Sequence, residues 1–88
     1  MRSFEFDPAK SESNRRKHGI DFVEAQVLWV DPDLVEVEAR SSDKARRLVV
    51  GRICGKHWSA IITMRGERIR IISVRRARLA EIALYEGS

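Results

Sequence analysis

One cysteine, Cys54, stands in a chain of 88 residues, which excludes an internal disulfide and any multi-cysteine zinc site. The two histidines, His18 and His57, have no second histidine or carboxylate at ligand spacing, so no metal site is expected. There is no Ser/His/Asp or Cys/His arrangement and no glycine loop of the phosphate-binding kind. An enzyme built from this chain would work without metal or organic cofactor. Only two prolines and a hydrophobic content of 43% argue against disorder. No apolar run approaches the ~18 residues that span a bilayer, and the N-terminus lacks the apolar core of a signal peptide. These absences predict one small cytoplasmic domain over residues 1–88, with no membrane contact. Such a chain buries roughly 60–65% of its unfolded surface, so its core is thin and a partner matters for stability. Cys54 itself reads as a small core residue at the end of an apolar strand.

Charge of one sign is scarce except in one place. From Arg65 to Arg78 six arginines stand against one acid, Glu67, a net +5, whereas the rest of the chain sums to −1 within a total of +4. All the excess is arginine, whose planar fork suits bidentate contact with phosphate. A solvated charged face is the bland reading of such a run, but a solubility surface usually interleaves both signs.

Ser3 to Phe6 alternates like a short strand. Asp7-Pro8 reads as an N-cap followed by proline at the first helical position, opening a helix from Pro8 to about His18 that stops at Gly19. Between Ala9 and His18 nothing is apolar, which marks a helix either marginal or kept for its surface. Lys10, Asn14, Lys17 and His18 share one face. Asp21 with Glu24 forms an acidic capping box for a second helix to about Val30, ended by Asp31-Pro32-Asp33. Strands are expected over Leu34–Ala39, Leu48–Cys54, His57–Met64 and Arg68–Val74. Arg40 to Ala45 is a polar loop, Gly55-Lys56 a type II′ turn, and Arg65-Gly66-Glu67 a second tight turn. A last helix runs from about Arg75 to Glu86. The expected fold is α+β: an antiparallel sheet with two N-terminal helices and a C-terminal helix, in the order β-α-α-β-β-β-β-α.

In the last strand, alternation puts Ile69 and Ile71 inward and leaves Arg68 and Arg70 on an open face. The alternation then breaks at Ile72-Ser73-Val74, which fits either a bulge or a strand end buried on both sides. Arg75, Arg76 and Arg78 fall in the first turn of the last helix. Cations there oppose the helix dipole, but together with the free N–H groups they would cradle a phosphate. The competing reading is a set of salt bridges to Asp31, Asp33 or Glu81. The helix beyond, Leu79 to Tyr85, is apolar on nearly every side, a surplus that a protein partner would cover. Tyr85 is a core or rim aromatic as readily as a functional group. His18 beside Gly19 fits a helix C-terminus, and its nearness to Lys17 and Asn14 also allows RNA contact.

These residues resemble the BrnT toxin family. Phe4-x-Phe6-Asp7-Pro8-x-Lys10, Asn14-x-x-Lys17-His18-Gly19-Ile20 and Phe22-x-Glu24-Ala25 follow in that family's order and spacing. So do Arg47 before Val50-Gly51, Thr63-x-Arg65-Gly66, Arg70-Ile71-Ile72-Ser73-Val74-Arg75, Ala77, Glu81 and Tyr85. The resemblance implies a bacterial type II toxin of RelE-like fold that cleaves RNA and halts growth. It further implies a BrnA-type antitoxin with a ribbon-helix-helix module, which blocks the toxin and links it to operator DNA.

Cleavage without metal uses the ribose 2′-OH as internal nucleophile, and the protein must remove its proton, stabilise the phosphorane and assist the leaving oxygen. On this reading Arg65, Arg70 and Arg75 hold the scissile phosphate, with His18 and Tyr85 as further catalytic candidates. Lys10, Asn14, Lys17, Arg47, Arg68, Arg76 and Arg78 would contact RNA. His18 is the one side chain of those motifs whose ordinary titration range lies near neutrality. Two other classes fit the arginines equally: a nucleic-acid-binding module without cleavage, and a protein-interaction domain whose arginines meet a partner's acids.

Overall fold

A computed structural model describes residues 2–39 and 45–87; the expected polar loop lies almost wholly outside them. The elements are β1 (Ser3–Glu5), α1 (Pro8–His18), a 3-10 helix (Glu24–Val30), β2 (Val35–Glu38), β3 (Arg47–Ile53), β4 (Lys56–Arg65), β5 (Arg68–Arg76) and α2 (Leu79–Gly87). They build one five-stranded sheet in the order β1-β5-β4-β3-β2, in the expected α+β class. The sheet is mixed rather than antiparallel throughout, because β1 runs parallel to β5, with Glu5 opposite Arg70. A parallel neighbour cannot be reached by a hairpin, and everything from α1 to β4 lies between the two strands in sequence.

Both hairpins follow turn chemistry, one of them at a shifted position. Ile53 pairs with Lys56, so the turn residues are Cys54 and Gly55. Both have positive φ, 50° and 81°, the type I′ pattern, which corrects the expected Gly55-Lys56 turn. Cys54 is therefore exposed at a hairpin tip and not a core residue. At the second hairpin Arg65 pairs with Arg68, and Gly66 (φ 60°) takes the first turn position, as type II′ requires.

One sheet face carries the core. Val49, Ala60, Ile62, Ile69, Ile71 and Val74 meet Ile20, Phe22, Ala25, Leu28 and Trp29. Phe4 packs edge-on to Trp29 and Phe6 edge-on to Phe22. The capping box at Asp21 forms: its Oδ1 accepts from the N–H groups of Val23 and Glu24, while Glu24 Oε1 accepts from the Asp21 N–H. The segment it opens is a 3-10 helix. Three residues per turn bring Ala25 and Leu28 inward and leave Val27 and Val30 exposed.

Helix α1 keeps its expected bounds. Asp7 accepts from the Ala9 N–H, and Gly19 closes the last turn at φ 79° by donating to the Arg15 carbonyl. Without apolar residues it docks by hydrogen bonds. Ser11 Oγ accepts from the buried Phe22 N–H, and the Asn14 amide bonds to Ile20 and Val74. This overturns the view of α1 as marginal or purely a surface element.

The break in β5 is a bulge. Ile61 pairs with Ser73 and Ile62 with Ile71, so Ile72 is the extra residue. Beyond it β5 continues to Arg76, because Arg75 and Arg76 pair with Ser59 and Trp58. The last helix consequently starts at Leu79, four residues later than expected. Arg75 and Arg76 are strand residues, and the expected phosphate cradle at a helix N-terminus does not form.

Candidate nucleic-acid interface

Alternation from the buried Ala60, Ile62, Ile69 and Ile71 turns Thr63, Arg65, Arg68 and Arg70 toward the second face of the sheet. Helix α2 covers one half of that face. On the other half Lys10, Arg46, Thr63, Arg65, Arg70 and Ile72 line an open cleft of ≈ 490 Å³. A second depression of ≈ 200 Å³ runs along α1, lined by Lys10, Ser13, Asn14, Lys17, His18, Ile72 and Ser73. Lys10 and Ile72 belong to both, so the two form one groove between α1 and the sheet. The bulge helps to shape it, since a bulge turns two successive residues toward one side of the sheet.

The groove is cationic. Among the described residues Lys10, Lys17, Arg46 and Arg65 make no ion pair, and Arg70 has one, donating Nη1 to Glu5 Oε2 at 2.8 Å. Arg68 sits exposed at the hairpin beside Arg65. Asn14 forms part of the wall, but its amide is committed to backbone groups and is not free for a ligand.

Arg46 was not among the expected residues, whereas Arg47 was. Register separates them. Arg47 lies opposite Ile62, on the core side of the sheet, where it pairs with Glu36. Arg46, one residue earlier, faces the groove. Strand alternation counted back from Val49 carries this distinction once β3 is known to begin at Arg47.

Arg75 is elsewhere and occupied. Its Nη1 and Nη2 donate to Glu81 Oε1 and Oε2, both at 2.8 Å. Glu81 also accepts from Ser59 Oγ and from the Arg78 N–H at the start of α2. The Arg75 hydrogen bonds, aided by Arg78 and Ser59, outweigh burial and hold the Glu81 carboxyl down at about 2. The same pair raises Arg75 above its usual range. Of the two readings open for this segment, the salt bridge to Glu81 is the one formed. Arg76 lies over the Trp58 ring, 5.5 Å from its centre, and donates to the His57 carbonyl.

Tyr85 also lies away from the groove. Its hydroxyl donates to Asp31 Oδ2 at 2.8 Å, and its ring meets His57 edge-on at 5.2 Å. His57 bonds Glu86 through Nε2 at 2.8 Å. Burial first, then the hydrogen bond to Asp31 and its charge, pushes the Tyr85 phenol up to about 12, which does not suit proton transfer near neutral pH. Burial works to raise Asp31, but the N–H groups of Asp33 and Arg52 and the Tyr85 hydroxyl outweigh it and keep its carboxyl below the ordinary range.

Among the described residues no group of three or more His, Cys, Asp or Glu is arranged to hold a metal ion. No helix among them is long and apolar enough to cross a membrane. The model of the family described as ribonuclease toxin, BrnT, of type II toxin-antitoxin systems matches residues 6–81. No curated protein matches the chain.

Proposed function

Because the chain belongs to the BrnT family of ribonuclease toxins of type II toxin-antitoxin systems, we propose that the groove between α1 and β5 binds RNA and cuts it through the ribose 2′-OH. The observation that carries this reading is the convergence of Lys10, Arg46, Arg65 and Arg70 on one cleft. Attack of the 2′ oxygen puts an extra negative charge on the phosphorane, and fixed guanidinium groups are suited to stabilise it. Arg65 and Arg70 hold the scissile phosphate and Lys10 approaches it from α1. Lys17 and His18 guide the flanking backbone along the second depression, and Arg46 and Arg68 add auxiliary charge. Arg75 anchors α2 and leaves the phosphate-holding set. So cationic a groove repels a divalent ion, and the chemistry proposed needs none.

The toxin acts in the cytoplasm on this reading and is neutralised by a BrnA-type ribbon-helix-helix antitoxin, through which alone it meets operator DNA. Leu79 (86% exposed) and Leu84 (47%) on α2 offer such a partner apolar surface. The test is incubation of purified protein with RNA in EDTA. Wild type should cleave, and Arg65→Ala and Arg70→Ala, folded, should lose most of the rate. Full activity in both variants would sink the phosphate assignment. Salt-sensitive binding without cleavage would mark a binding module instead.

A further inference from the structure

Resting on the ribonuclease reading, we infer that Glu5 is the general base of the cleavage reaction. Phe4 turns into the core against Trp29, so its neighbour Glu5 faces the groove side of the sheet. Parallel pairing sets Glu5 directly opposite Arg70, and Arg70 Nη1 donates to Glu5 Oε2 at 2.8 Å. Both side chains are about three-quarters covered, 24% and 27% exposed. The pair is therefore held, not a mobile surface contact.

The other side chains of the cleft that holds Arg65 and Arg70 are unsuited to taking a proton, and His18 lines the second depression along α1, not that cleft. The arginines stay protonated, and the lysines are cations. Of the nearby acids, Glu12 pairs with Arg15 and Arg16 outside the groove, and Glu81 is locked to Arg75. Among the described residues Glu5 is the carboxylate bonded to a groove cation. Its bond to Arg70 uses one nitrogen, and the remaining donors of the fork make no hydrogen bond among the described residues. A phosphate oxygen on those donors places the adjoining ribose beside the Glu5 carboxylate.

The step balances within these groups. The Glu5 carboxylate accepts the 2′-OH proton as the 2′ oxygen forms its bond to phosphorus. The P–O5′ bond breaks, and the departing 5′ oxygen takes a proton from the Lys10 ammonium. The products are a 2′,3′-cyclic phosphate and a free 5′-hydroxyl.

Glu5→Gln separates this role from a structural one. Glutamine keeps a carbonyl oxygen for Arg70 and removes one negative charge from a cationic groove. A merely pairing Glu5 thus predicts RNA binding as tight or tighter and an unchanged rate. A base predicts a kcat lower by roughly 10²–10⁴-fold, with affinity for an uncleavable 2′-deoxy oligonucleotide retained. Glu5→Ala gives a second readout, since added formate should restore rate in proportion to its concentration. Wild type that cleaves alongside Glu5→Gln within a few-fold, or Glu5→Ala that binds without rescue, overturns the inference and leaves the ribonuclease reading standing. Wild type that binds RNA without cutting it overturns both.

Discussion

Asn14 pairs its side-chain amide with both backbone groups of Val74, donating from Nδ2 to the carbonyl at 2.9 Å and accepting from the N–H at 3.1 Å. This is the pairing a neighbouring strand would supply. β1 covers β5 only from Arg68 to Arg70, which leaves the edge at Val74 bare. A third bond runs from Nδ2 to the Ile20 carbonyl at 2.8 Å. One buried amide, together with Ser11, therefore fixes a helix that has no apolar face of its own.

Asn14→Ala strands three backbone groups in a buried site. An unsatisfied buried group costs about 1–3 kcal/mol, and the three are not additive, so a loss of about 3 kcal/mol is expected. That is a large share of the roughly 5–15 kcal/mol a domain possesses. Asn14→Asp should lose nearly as much, because a carboxylate cannot donate to the Ile20 and Val74 carbonyls. Urea unfolding measures both. Cleavage should fall with stability, since Lys10, Lys17 and His18 ride on the same helix.

The Arg75–Glu81 pair makes stability pH-dependent in a defined window. Glu81 is held at about 2 in the folded chain against 4.5 for the free side chain. Its contribution is complete above about pH 5 and is lost as pH falls toward 2, while Arg75 stays charged throughout. The full effect is on the order of 3 kcal/mol. Glu81→Gln should be less stable at neutral pH and should lose less than wild type between pH 5 and 2.5. Asp31, also lowered, adds to the slope in the same window and persists in the variant. Urea midpoints across that range provide the comparison. Parallel curves for the two proteins would refute the assignment.

What could be read from sequence was local. The bounds of α1 follow from Asp7, Pro8 and Gly19, the groove cations Lys10 and Lys17 follow from helix spacing and Arg70 from strand alternation, while Arg65 follows from the family resemblance. What escaped depended on distant partners. Arg75-Arg76-Ala77-Arg78 suits a helix by propensity, yet Trp58 and Ser59 draw its first two residues into the ladder. The side of the sheet taken by Arg46 or Arg47 depends on register with β4, and the role of Asn14 depends on where β1 ends. Sequence alone places Cys54 in the strand because an apolar residue after Ile53 continues a strand pattern, while the I′ turn sets its φ positive.

Tyr85 is the single tyrosine of the chain, which makes its ionisation directly observable. Absorbance at 295 nm should show no folded-state transition until pH approaches 12. Tyr85→Phe removes the hydroxyl from Asp31 and should cost about 1–3 kcal/mol, as expected for a bond to a charged acceptor. Asp31 keeps the Asp33 and Arg52 N–H groups, so the site survives. RNA cleavage should stay within a few-fold of wild type once the variant is assayed where it is folded. Abolished cleavage in a folded Tyr85→Phe protein would return the phenol to the active site.

Arg65 and Arg75 carry the same charge and belong to the same family motif, yet they should fail in different ways. Arg65 is exposed at the hairpin and unpaired among the described residues, so Arg65→Ala should change stability by less than about 0.5 kcal/mol. It should weaken RNA binding across sequences and lower the salt dependence by about 0.7 in the log–log slope, the share of one phosphate contact on a single strand. Arg75→Ala leaves the Glu81 carboxylate, 12% exposed, without its bidentate partner. A loss of about 2–4 kcal/mol is expected, near the lower end for breaking a buried pair, because Ser59 and the Arg78 N–H still hold the carboxylate. Its salt slope for RNA should match wild type under conditions where it is folded. Paired measurements of urea stability and salt-dependent RNA binding resolve the two arginines. A stable Arg75→Ala with a reduced salt slope would restore Arg75 to the phosphate site and recast Glu81 as a carboxylate that RNA displaces.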